Sequence, residues 1–99
     1  MTAPYRVVVT GLARAQFRAL ASSSLYNLGQ KEVTRAMRQI GQRLAHSPRS
    51  IGDPLYHLRA AKLEVRGLSH ASLYIAYAVH ESEPLVIIRS VTSYRGTVP

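Results

Sequence analysis

Hydrophobic and polar positions divide the chain into a helical first half and a stranded second half. Tyr5-Arg6-Val7-Val8-Val9 is short and β-branched, which predicts a first strand. Thr10 stands where it can cap the helix that follows. There Ala13, Gln16, Phe17 and Leu20 recur at helical spacing, with Arg14 and Arg18 on the outer side, which predicts a helix over Thr10–Ala21. Ser22-Ser23-Ser24 and the stretch from Asn27 to Gly29 interrupt it. Val33, Met37, Ile40 and Leu44 then hold an i, i+4, i+7, i+11 stripe ringed by Arg35, Arg38, Gln39, Gln42 and Arg43, which predicts a second helix over Lys31–Ala45. Pro48, Gly52 and Pro54 end it and predict a loop.

From Lys62 onward the period changes from helical to strand-like. Lys62-Leu63-Glu64-Val65-Arg66 alternates strictly, apolar at odd positions and charged at even ones. Gly67 to Ala71 is expected to turn the chain. Leu73, Ile75, Tyr77 and Val79 then alternate with Tyr74, Ala76, Ala78 and His80, and Glu81-Ser82-Glu83-Pro84 is a second turn. Leu85 to Val91 is nearly all apolar, as suits a strand covered along most of its length. Thr92 to Pro99 is a short polar tail. The expected fold is α+β, β-α-α-β-β-β: an antiparallel sheet with an N-terminal helix pair packed on one face. Without repeats or low-complexity tracts, residues 1–99 are expected to form a single domain.

Charge changes this picture most. Thirteen Lys+Arg face five Asp+Glu, a net charge of +8. Such a field attracts polyanions at long range and supplies phosphate contacts at short range. Eleven of those cations are arginine, whose planar guanidinium grips phosphate with two donors at once; a genome that favours arginine codons gives the same composition. No cysteine is present, so disulfide frameworks and thiolate metal sites are excluded, as suits a reducing cytoplasm. The start of the chain shows no signal-peptide pattern, and the apolar stretch from Leu73 to Val79 is too short to span a bilayer, so no membrane partner is expected.

If the odd-numbered residues of the meander meet the helices, the even-numbered ones share the open face: Lys62, Glu64, Arg66 and Tyr74, with Arg89 beside them and Tyr94 and Arg95 just beyond. Arginine neutralises phosphate, and tyrosine offers a stacking platform or a proton. A solvated sheet face carries Lys, Glu and Arg just as readily. Arg89 stands apart, because an arginine within Leu85–Val91 must reach solvent, an acid or a ligand. Asp53, just before Pro54, has the place of a turn residue. The four histidines, His46, His57, His70 and His80, have no metal-ligand spacing, so no metal site and no cofactor are expected.

In this order the segments resemble the RelE/ParE superfamily of toxins from bacterial toxin–antitoxin modules. The resemblance covers roughly Tyr5 to Arg95. It rests on the opening strand, on His46-Ser47-Pro48-Arg49 closing the second helix, and on Gly52-Asp53-Pro54-Leu55 followed by Leu58-Arg59. Leu63-Glu64-Val65-Arg66, Leu73-Tyr74-Ile75-Ala76-Tyr77-Ala78-Val79, Ile87-Ile88-Arg89-Ser90-Val91 and Tyr94-Arg95 complete it. No single motif is specific; the ordered set is moderately so.

The resemblance implies one of two activities. RelE-type relatives cut mRNA on the ribosome without metal, through attack of a ribose 2′-hydroxyl on the adjacent phosphate; ParE-type relatives inhibit DNA gyrase on the same fold. For the nuclease it implies Arg66, Arg89 and Arg95 on phosphate, Tyr94 as acid or stacking group, Asp53 where some relatives place a glutamate base, and Arg59, Lys62 and Tyr74 on RNA. Tyr74 stands where many active relatives have arginine, and Thr92-Ser93-Tyr94-Arg95 replaces their His-Tyr or basic ending. A basic binding protein without activity is the third reading. The implied partners are an acidic or amphipathic antitoxin peptide, the ribosome and mRNA, or else gyrase. A homodimer and a toxin–antitoxin hetero-oligomer are both compatible with the chain.

Overall fold

The computed structural model describes residues 4–22 and 30–93. Strand β1 (Arg6–Val9) leads into helix α1 (Gly11–Ser22), followed by α2 (Gln30–His46). Strands β2 (Asp53–Leu58), β3 (Leu63–His70), β4 (Leu73–His80) and β5 (Leu85–Ser93) complete the sheet, in the order β1-β5-β4-β3-β2. The α+β architecture with the helix pair on one face is the predicted one. Two details go beyond the prediction. β1 runs parallel to β5, so one edge of an otherwise antiparallel sheet is mixed. Asp53–Leu58, which starts within the loop expected around Pro48, Gly52 and Pro54, adds a strand at the opposite edge.

Each helix forms for the reason its pattern indicates. Thr10 caps α1: its Oγ1 accepts from the Ala13 amide at 3.1 Å, satisfying a donor that the first turn leaves orphaned. Ala13 and Leu20 are buried and Phe17 packs beside them. On α2, Val33, Ala36, Ile40 and Leu44 are buried and Met37 is partly so, laying the stripe on the sheet. Leu68, Leu73, Ile75, Tyr77, Val79, Val86, Ile88 and Val91 meet them from β3, β4 and β5. Truncating one such residue, as in Leu44→Ala, costs about 2–5 kcal/mol.

The β3–β4 register decides which side chains share a face. The turn is Ala71-Ser72, so the expected Gly67–Ala71 turn is mostly strand, and Arg66 pairs with Tyr77 and Glu64 with Val79. Glu64 and Arg66 therefore lie on the helix side, which corrects their expected place beside Tyr74. Leu63, Val65, Gly67 and Ser69 take the open side instead, with Tyr74, Ala76 and Ala78. Ala71 adopts a φ of 55°, the left-handed backbone that so short a hairpin turn calls for.

Candidate functional site: the open face of the sheet

The open face is built from small residues overlain by long ones. Asp53 at the start of β2 pairs with Gly67, which pairs with Ala76, which pairs with Ser90, giving one row across four strands. Gly67 has no side chain for a reason: a Cβ there would overlap the Tyr74 hydroxyl, so the tyrosine ring lies directly over the glycine. The next row is Tyr56, Val65, Ala78 and Ile87. Each strand alternates, and on this face Gly67, Ala76, Ala78 and Ser90 form a low floor between larger neighbours.

Arg89 is the extra residue of a bulge in β5, where the register against β4 shifts between Ala76 and Tyr77. A bulge re-aims a side chain. Arg89 reaches across β4 and β3 and donates from Nη1 to the Tyr56 hydroxyl on β2 at 3.0 Å. Helix α1 holds the bulge from behind: Thr10 Oγ1 donates to the Arg89 carbonyl at 3.2 Å, and Gln16 Oε1 accepts from the Val91 amide at 2.7 Å. Beyond Ile88 those two side chains bond to β5 where β1 has ended. Arg89, expected to reach solvent, an acid or a ligand, is partly exposed on this face.

Arg66 is placed otherwise. It is 8% exposed, beneath the loop between α2 and β2. Its Nη1 donates to Glu64 at 2.8 Å and its Nη2 to the carbonyls of Ile51 and Gly52, each at 3.2 Å. Its Nε lies 3.3 Å from the Tyr77 hydroxyl, which itself sits 2.8 Å from the Pro48 carbonyl and 2.7 Å from that of Ile51. Burial opposes the Arg66 charge, but the bonds to Glu64 and Tyr77 outweigh it and raise its pKa. Burial likewise raises the Tyr77 pKa, against the pull of Arg66. Gly52 completes the join with φ 68°, its α-carbon against the Gly67 carbonyl. With its donors committed to this network and its face turned to the helices, Arg66 is not placed to grip phosphate with Arg89, contrary to its expected role.

The other expected residues scatter. Asp53 and Tyr74 are on the open face, Asp53 exposed and Tyr74 half-buried. Arg59 lies in the 3-10 turn between β2 and β3, and Lys62 caps that turn with left-handed backbone; both are exposed at the end of the sheet away from Gly67. Tyr94 and Arg95 lie outside the described residues, immediately after β5. Ser93 is 4% exposed and pairs with Leu73 on the helix side, so a histidine there would enter the core rather than the open face. Tyr56 is the partner that sequence reasoning missed. Its signal lay in Tyr56-His57-Leu58, masked as strand by Pro54 at an edge where proline is tolerated. Among the described residues, no group of three His, Asp or Glu side chains is arranged to hold a metal, and no helix is long and apolar enough to cross a membrane.

No protein-family model matches the chain, and no curated protein matches it. A solved structure does. One chain in the crystal structure of the RelBE2 toxin–antitoxin complex from Mycobacterium tuberculosis superposes with a TM-score of 0.71 and 18% sequence identity, covering 96% of this chain and 97% of that one. At that identity the likeness is one of fold. The fold implied by the resemblance to the RelE/ParE toxins is the fold of this chain.

Proposed function

We propose that this chain is the toxin of a toxin–antitoxin module and acts as a ribosome-dependent, metal-independent mRNA endonuclease. The observation that carries the reading is the open face, where Arg89 is drawn out by a bulge and held against Tyr56, with Tyr74 and Asp53 on the same surface. The fold shared with a chain of a toxin–antitoxin complex supports the toxin role.

RNA cleavage by its own 2′-hydroxyl needs three things. A base takes the hydroxyl proton, a cation steadies the phosphate as charge builds on it, and an acid meets the leaving 5′-oxygen. Asp53 is the carboxylate of the open face and takes the first role. Arg89 takes the second, with the Tyr56 hydroxyl fixing its guanidinium in advance of substrate. Tyr94, directly after β5, takes the third. Attack forms a cyclic phosphate and releases a 5′-hydroxyl, so atoms balance without a cofactor. Tyr74, lying on Gly67, gives an unstacked base a platform. Arg66 acts by holding the loop that leads into Asp53. Arg59, Lys62 and Arg95 add charge that guides the RNA. An antitoxin peptide silences the toxin by packing on the exposed apolar residues Leu12 and Leu55.

The test is translation in a reconstituted system with mapped mRNA ends. Wild-type protein is expected to cut mRNA at codon-positioned sites in the cytoplasmic machinery, and Arg89→Ala to slow cutting by ~10²–10⁴-fold, the loss typical of a transition-state cation. If mRNA stays whole and DNA supercoiling by gyrase fails instead, the nuclease reading is wrong and the gyrase reading replaces it.

A further inference from the structure

Charge is unevenly divided between the layers. Helices α1 and α2 carry Arg14, Arg18, Lys31, Arg35, Arg38 and Arg43 against a single acid, Glu32. The other four acids, Asp53, Glu64, Glu81 and Glu83, all belong to the stranded half. On α2, Lys31, Arg35 and Arg38 fall at i, i+4 and i+7, one exposed face about 10 Å long. With Thr34 they line a shallow open groove that contains no apolar side chain. Glu32 pairs with Arg35 at 3.6 Å with both side chains largely exposed, a pair that water screens.

We propose that this face of α2 is a docking surface for double-stranded RNA, separate from the open sheet face. The chemistry of the groove selects the partner. A peptide that folds onto a helix needs apolar anchors, and this groove has none. Single-stranded RNA needs aromatic platforms for its bases, and among the described residues Tyr56 and Tyr74, which could stack, are on the opposite face of the molecule. A row of cations with a hydroxyl matches the phosphate backbone of a duplex, which is recognised by shape and charge across its groove. The two faces then divide the work: α2 holds a folded RNA while the sheet takes a single strand. This inference stands on the helices and does not depend on cleavage.

The experiment is fluorescence anisotropy of the intact protein with a mixed-sequence RNA duplex of about 16 base pairs, long enough to present two successive minor grooves. Its comparison ligands are a single strand of equal length and an oligoglutamate peptide. The variant Lys31→Glu/Arg35→Glu/Arg38→Glu changes only exposed side chains, and its thermal midpoint is measured alongside. A neutral version, Lys31→Gln/Arg35→Gln/Arg38→Gln, repeats the test without added repulsion. The expected result is a loss of duplex affinity of ~10-fold or more in both. The slope of log K against log salt is expected to be shallower by roughly 2–3 in the neutral variant, as three phosphate contacts are removed. Arg89→Ala should leave duplex binding intact and weaken the single strand. Duplex binding unchanged in both triple variants overturns the proposal. So does oligoglutamate binding more tightly than duplex to the wild type and being lost in the variants, which would make the groove a protein site.

Discussion

The Arg66 guanidinium and the Tyr77 hydroxyl, 3.3 Å apart, are cross-strand partners on the helix side of the sheet, and together they pin the carbonyls of residues 48, 51 and 52. The loop from α2 to β2 is therefore held by a polar network as well as by Ile51, which packs against the core. Such a network is strong when complete and costly when broken. Tyr77→Phe keeps the ring but removes the single hydroxyl proton available to the Pro48 and Ile51 carbonyls; Ile51 keeps Arg66, and the expected cost is about 1–3 kcal/mol. Arg66→Ala leaves Glu64, whose side chain is 18% exposed, with His57 Nε2 at 3.7 Å in place of its closest partner, so at most the lower part of the roughly 3–5 kcal/mol range for a broken buried pair applies. Urea midpoints measure both. If Arg66→Ala unfolds at the wild-type midpoint, the network is not what holds the loop.

Much of this was legible in the sequence, and the main error has one cause. Helix α2 could be read because Val33, Ile40 and Leu44 keep the helical period without interruption. Strict alternation in Leu63–Arg66 correctly announced a strand, yet alternation alone does not say which set faces the core. The turn length does. A five-residue turn over Gly67–Ala71 would pair even positions with even ones, Arg66 with Ser72 and Glu64 with Tyr74, leaving Arg66 and Tyr74 on one face. The real turn, Ala71-Ser72, pairs even with odd and sends Arg66 to the helix side. Ala71 with its left-handed backbone concealed that turn, since glycine or asparagine is the usual sign of it. Gly67 looked like a turn residue but is the bare patch under Tyr74. Arg89 was legible because an arginine in an apolar strand admits few explanations; its partner Tyr56 was not, because four strands had to be placed before the two could meet.

His70 makes stability depend on pH in a definite direction. At the end of β3 it lies 3.1 Å from Arg43 Nη1 through Nδ1 and 3.0 Å from Gln39 Oε1 through Nε2, tying the β3–β4 hairpin to α2. A guanidinium only donates, so Nδ1 must accept and Nε2 carries the proton, which makes the ring neutral. Burial and then the Arg43 charge lower its pKa below the ordinary value. The unfolded chain therefore binds this proton more readily than the folded one. The contribution of the tie is fully present above an unfolded pKa of about 6.5 and is lost as pH falls from there through the lowered folded value. His70→Gln, which is never charged, should flatten that part of the stability profile in urea titrations at a series of pH values. A profile that keeps its full slope after the substitution assigns the dependence to other groups.

Helix α1 should govern the activity of the open face through Arg89, without touching RNA. Thr10 is at once the N-cap of α1 and the donor to the Arg89 carbonyl, and Gln16 holds the Val91 amide two residues on. Bulges are compliant, so the guanidinium is only as well aimed as the backbone behind it. Thr10→Val keeps the side-chain volume and removes both bonds, at about 1 kcal/mol in lost capping. Gln16→Leu leaves the Val91 amide with no partner in its part-buried position. Both variants are expected to stay folded, bind RNA with little change, and cut mRNA about 10-fold or more slowly, since an aimed donor contributes mainly in the transition state. Thr10→Ser, which can restore both bonds, should recover most of the rate, whereas a purely structural role for Thr10 would make activity track the melting temperature in every variant. Single-turnover cleavage rates set against thermal midpoints distinguish these outcomes. If Thr10→Val cleaves at the wild-type rate, the bulge holds Arg89 without help from α1, and the positioning role falls.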